Sequence, residues 1–140
     1  MSNIDFAQMI TAADTLTADK ARLLEDLARL RWKAETGGIV TPGETFVRTD
    51  RETRAALTEA VNALQAGLMQ GPVPWKMAHG WEDLTQENIE AIITAVAGHV
   101  RACFAAERAV QAQIEASENP ASFDTAEAFE TALNALQSPL

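Results

Sequence analysis

Three features predict an α+β fold for this chain. Long stretches carry apolar residues at alternating steps of three and four. Two short stretches, punctuated by glycine and proline, are rich in β-branched and aromatic residues. Helix-capping sequences lie between them. The expected architecture is a long N-terminal, coiled-coil-like helix, then a small antiparallel sheet packed with three further helices. Its order is α-ββ-α-ββ-α-α.

The first helix is expected from a cap at Ser2 or Asn3 to the stop at Gly37-Gly38. Phe6, Met9, Ala13, Leu16, Lys20, Leu23, Leu27, Leu30 and Ala34 form a heptad seam with one polar intruder, Lys20. A cap at Thr17-Ala18-Asp19 competes, and would split the segment in two. Phe6, Met9, Leu16, Leu23, Leu27 and Leu30 are the expected oligomerisation residues. The seam makes residues 1–36 an oligomerisation stalk and residues 37–140 a compact head.

Ile39-Val40 and Phe46-Val47 read as two short strands joined by a turn at Thr41-Pro42-Gly43-Glu44. Thr49-Asp50-Arg51-Glu52 reads as a capping box with Thr49 at the N-cap of a second helix, which Gly71-Pro72 ends. Its stripe is Leu57, Ala60, Val61, Leu64 and Leu68. Residues 74–78 and 81–84 flank His79-Gly80 as a tight hairpin, whose strands can join the first pair in one sheet. Thr85 caps a third helix whose seam is Ile89, Ile93, Val96, Val100, Cys103, Glu107, Val110 and Ile114. Asn119-Pro120 breaks it. A last helix starts at Asp124, with Glu127 at N3.

Composition narrows the function classes. Of 140 residues, 47% are apolar and 22% charged, as in one soluble globular domain made in the cytoplasm. Eleven basic against 20 acidic residues give a net charge of -9, against a phosphate-backbone partner. The excess is uneven: residues 71–140 hold 3 basic and 10 acidic residues. No uninterrupted apolar run reaches the ~18 residues that span a bilayer, so no membrane insertion is expected.

The chain offers little chemistry. It has no Gly-x-Ser-x-Gly elbow and no phosphate-cradling glycine loop. His99 and Cys103 have metal-ligand spacing on one helix, but lack two further ligands, and Cys103 reads as a core residue of the seam. The pairs Asp50 with Glu52 and Glu82 with Asp83 read as structural. No catalytic residue, metal or cofactor is expected. Arg48, Arg51 and Arg54 form a basic cluster suited to salt bridges within the fold or to an acidic partner. Trp32, Trp75 and Trp81 are large anchors suited to packing the sheet against helices, or, for one of them, to a subunit or carbohydrate contact. The expected contact surface is therefore Trp75, Trp81, Arg48 and Arg51.

Four segments in order carry a family resemblance: 32–38 (Trp-Lys-Ala-Glu-Thr-Gly-Gly), 48–51 (Arg-Thr-Asp-Arg), 75–78 (Trp-Lys-Met-Ala) and 99–104 (His-Val-Arg-Ala-Cys-Phe), followed by Glu107. Over about residues 25–116 the chain resembles an uncharacterised domain family of tailed bacteriophages and prophages, associated with tail-fibre and tail proteins. It departs at His79-Gly80, where that family often has an Asp-Gly turn. The resemblance implies no reaction. It implies a structural or attachment protein of the virion tail, made in the bacterial cytoplasm, with other tail or baseplate proteins as partners. The tail-fibre context favours a trimer over a dimer. The alternative it implies is a tail-fibre assembly chaperone that does not stay in the particle.

Overall fold

A computed structural model describes the backbone of residues 2–137 and the side chains of residues 11–137. The elements are α1 (Ser2–Thr36), β1 (Ile39–Val40), β2 (Phe46–Val47), α2 (Arg51–Gln65), β3 (Val73–Met77), β4 (Gly80–Leu84), α3 (Gln86–Ala116), a 3-10 turn (Pro120–Ser122) and α4 (Thr125–Gln137). The fold is α+β, as expected. The helix α1 is unbroken, so the competing cap at Thr17–Asp19 is not used.

The chain divides into two compact units: residues 1–31 with 104–140, and residues 32–103. In the first unit the C-terminal part of α3 runs antiparallel to α1. Lys20 Nζ donates to the Glu115 carbonyl at 2.8 Å, and Arg31 Nε meets Glu107 Oε1 at 3.0 Å. The two polar intruders of the seams are thus the residues that tie these helices together. Arg31 also lies 4.6 Å over the Phe104 ring. Leu23 and Leu27 of α1 are buried in the single chain, as are Ala106, Val110 and Ile114 of α3 and Phe129 of α4. Leu30 is half-buried, Leu16 is exposed, and every residue of 11–18 is exposed. Phe6 and Met9 lie outside the described side chains.

In the second unit, Val47, Leu57, Ala60, Val61, Leu64, Met77, Leu84, Ile89 and Val96 form one core. The strands do not join into one sheet. β1 pairs only with β2 and β3 only with β4, each antiparallel, which corrects the expectation of a shared sheet. The first turn is closed by Thr41: its amide donates to the Thr45 carbonyl at 2.9 Å, and its carbonyl accepts from Glu44 N at 2.8 Å. The second hairpin turns on Ala78-His79, one residue earlier than expected. Gly80 then opens β4 at φ +135°, a conformation that favours glycine.

The caps explain the helix limits. The Thr85 hydroxyl accepts from Asn88 N, and the Asn88 side chain accepts from Thr85 N, a reciprocal cap on α3. Asp124 Oδ1 accepts from Glu127 N and caps α4. On α2 the cap is Asp50, not Thr49: Asp50 Oδ2 accepts from Thr53 N at 3.0 Å. Thr49 is buried, and its hydroxyl donates to the Glu35 carbonyl at 2.7 Å and accepts from Gly38 N at 2.8 Å. It therefore closes the end of α1 instead. The helix α2 ends at Gln65, earlier than Gly71-Pro72, in a Schellman turn. There Gly67 stands at φ +76°, with Gly67 N bonded to Leu64 O and Leu68 N to Ala63 O. Leu68 is consequently outside the stripe and exposed.

One 18-residue window within α3 is long and apolar enough to cross a membrane, with a mean hydropathy of 1.4. A third of that window is buried in the protein's own core.

Candidate functional site

The candidate site lies in the unit of residues 32–103 and is built around the two hairpins. Along β3, Val73, Trp75 and Met77 face inward, and Pro74 and Lys76 face outward. Register places Trp75 opposite Glu82 and Lys76 opposite Trp81. Trp75 and Trp81 are therefore on opposite faces of one hairpin. Trp75 is half-buried against the core, while Trp81 is 71% exposed beside Lys76. The two tryptophans do not form one surface.

Two clefts flank these strands and share Val47, Met77 and Ile92 as an apolar floor. The smaller, about 340 Å³, is lined by Phe46, Val47 and Arg48 of the first hairpin side and by four consecutive residues, 75–78, of the second. It brings Trp75 and Arg48 together, with Lys76, Asp50 and Glu52 at its rim. The Asp50 carboxyl sits below its ordinary value because the Thr53 hydroxyl and amide both donate to it, with a smaller contribution from the Arg48 charge. Asp50 is thus a charged helix cap, and its geometry assigns it no acid–base step.

The larger cleft, about 680 Å³, is walled by Thr41, Pro42, Gly43 and Thr45 of the first turn, and by Glu82, Asp83 and Leu84 of β4. Asn88, Ala91, Ile92 and Ala95 of α3 complete it. No lysine or arginine lines this cleft, and Glu82 and Asp83 are both exposed. His79 Nε2 lies 3.1 Å from Glu82 Oε1 on the turn above.

Arg51 and Arg54 have a different task from the one a contact surface would give them. Glu35, fully buried in the last turn of α1, receives Arg54 Nη2 at 2.8 Å and Arg51 Nε at 3.2 Å. The arrangement answers two helix dipoles. A carboxylate is disfavoured at the C-terminus of α1, as are arginines at the N-terminus of α2, and pairing them offsets both. Arg48 stays exposed at the smaller cleft. Sequence reading did not single out Glu35, whose one signal is a charged residue just before the Gly37-Gly38 stop.

His99 and Cys103 do lie together, with Cys103 Sγ 3.6 Å from His99 Nε2. That nitrogen donates to the Ala34 carbonyl at 2.7 Å, however, and Cys103 is fully buried. Among the described residues, no group of three or more His, Cys, Asp or Glu side chains is placed to hold a metal ion.

No curated protein and no solved structure matches the chain. A family profile described as a domain of unknown function (DUF4376) does match, over residues 18–133, and the chain belongs to that family.

Proposed function

We propose that the chain is a non-enzymatic structural or attachment component of a phage-like tail, associated with its fibre or baseplate and retained in the virion. The observation that carries this reading is the pair of clefts on one apolar floor, walled by two short, separately closed hairpins. Such a surface binds another chain without needing reactive groups. The resemblance of four ordered segments to a tail-associated family supplies the context.

Self-association, as a trimer in preference to a dimer, goes with this reading. Its seam would use the N-terminal part of α1, where Phe6 and Met9 precede the exposed Leu16. Leu23, Leu27 and Leu30 serve it less directly, since the first two are already buried within one chain. The net charge of -9 speaks against nucleic acid as a partner. Assembly in the bacterial cytoplasm precedes incorporation into the tail.

A second reading, a tail-fibre assembly chaperone that leaves before the particle is complete, is favoured by the openness of the larger cleft. A holder of an unassembled chain needs an accessible apolar floor of that kind. A mass-spectrometric inventory of purified particles tests the first reading. Stoichiometric recovery with tail proteins supports it, and absence from particles overturns it.

A further inference from the structure

We infer that the larger cleft is a docking groove for an extended, basic segment of a partner protein, which adds as a strand along the outer edge of β4. The inference rests on the attachment reading for this unit and adds the chemistry of the partner.

Three observations converge on it. Among the described residues, the strand β4 is paired with β3 alone, so its other edge has backbone groups to offer. The cleft is lined by three consecutive β4 residues, Glu82, Asp83 and Leu84, but by only Met77 of β3. Side chains alternate between faces along a strand, so a cleft touched by three in succession, and hardly by the partner strand, runs beside the edge rather than over one face. Finally, the groove has an apolar floor of Val47, Met77, Leu84 and Ile92, and among the described residues its only charged lining residues are Glu82 and Asp83.

The dimensions and charge then specify the occupant. The five residues of β4 extend about 17 Å, the length of a five-residue segment in the same conformation. Alternate side chains of that segment would enter the apolar floor. Those between them lie on the opposite face, where Asp83 projects, and would carry lysine or arginine to it, while Glu82 stands on the same face as Leu84 at the edge of the floor. An uncharged apolar strand would bring no counter-charge to Asp83, whereas Glu82 already has His79 beside it at 3.1 Å.

The test is a titration of the full chain, followed by amide chemical shifts and fluorescence anisotropy. The probes are a capped, labelled peptide of alternating lysine and valine, its glutamate–valine counterpart, and a lysine–valine peptide N-methylated at alternate residues. The lysine–valine peptide is expected to bind, with shifts concentrated on residues 80–84 and 41–45. The N-methylated peptide, which cannot complete a ladder, should bind at least tenfold more weakly, as should the parent peptide to a Glu82→Gln, Asp83→Asn variant. No binding, equal binding of the glutamate peptide, or an affinity unchanged by N-methylation would overturn the inference. Both substituted residues are exposed, so the variant keeps its fold, and the N-methylated arm needs no change to the protein. Particle incorporation is scored separately: a chain found in particles that fails the titration loses only this inference, whereas one absent from particles loses the attachment reading.

Discussion

Replacing Glu35 by alanine would leave two guanidinium groups facing a cavity where a carboxylate had been. The two arginines do not suffer equally. Arg54 is 21% exposed and donates at 2.8 Å, and its Nη1 is already buried without a partner. Arg51 is 64% exposed and donates at 3.2 Å, so water can replace most of what it loses. Removing one partner of a buried ion pair costs about 3–5 kcal/mol, whereas an exposed pair contributes about 0.2–1 kcal/mol. The Arg54 side therefore dominates, and a loss of about 3 kcal/mol is expected for Glu35→Ala. At roughly 2–4 °C per kcal/mol for a chain near this size, the melting temperature should fall by about 6–12 °C. Thermal melts followed by circular dichroism, with urea midpoints alongside, provide the measurement. Arg51→Ala is the control and should cost no more than about 1 kcal/mol. If Glu35→Ala and Arg51→Ala melted together, within two degrees or so of the parent, the argument from burial would be refuted.

Asp50→Ala should destabilise the protein by about 0.5–2 kcal/mol through loss of the α2 cap. Because the folded-state value of Asp50 is lowered from 3.8, its contribution is fully present above that value and fades as pH falls through the lower folded value. Urea midpoints of parent and variant should therefore converge only at acid pH, and convergence near neutrality would contradict the assignment. Leu27→Asp should cost several kcal/mol, since Leu27 is buried within the chain, while Arg22→Asp on the exposed side should stay within about 0.5 kcal/mol; paired melts decide this. Cys103 should resist a thiol reagent in the native protein and react only on unfolding, a contrast that stopped-flow labelling reads directly. Trp81→Ala should leave the melt nearly unchanged, as expected for a side chain 71% exposed, whereas Trp75→Ala should lower it.

Much of the fold was legible because its signals are local. Thr85 and Asp124 act on amides three residues away, and a cap of that kind can be read without knowing the rest of the molecule. The same holds for the Thr41–Glu44 turn. The error at α2 has a non-local cause. Thr49 and Asp50 are both good N-caps, and the choice between them follows from the Glu35 carbonyl and Gly38 amide, which engage the Thr49 hydroxyl from the preceding helix end. Whether the two hairpins join is likewise non-local, since it depends on strands more than 20 residues apart, and in the structure each stays a separate two-stranded sheet. Steps of three and four along α1 do not reveal what covers them. Leu23 and Leu27 are buried within one chain, and the same spacing would suit a second copy.

The candidate site was less legible than the fold. Glu82 and Asp83 read in sequence as a strand end before a helix, which they are, and only the turn facing them makes a groove. Trp75 and Trp81 were grouped by residue type, but a strand pair with this register sends them to opposite faces. Arg51 was grouped with Arg48 by proximity, and the buried carboxylate of Glu35, 16 residues away, separates their roles.

The attachment reading meets its most direct test in particles. Particles or tails should be purified from the strain that encodes the chain, and the chain quantified by mass spectrometry against known tail proteins. The account predicts recovery at a fixed, small-integer ratio to a tail protein through successive gradients. Absence of the chain from intact particles, with the protein present in the lysate that produced them, would contradict it.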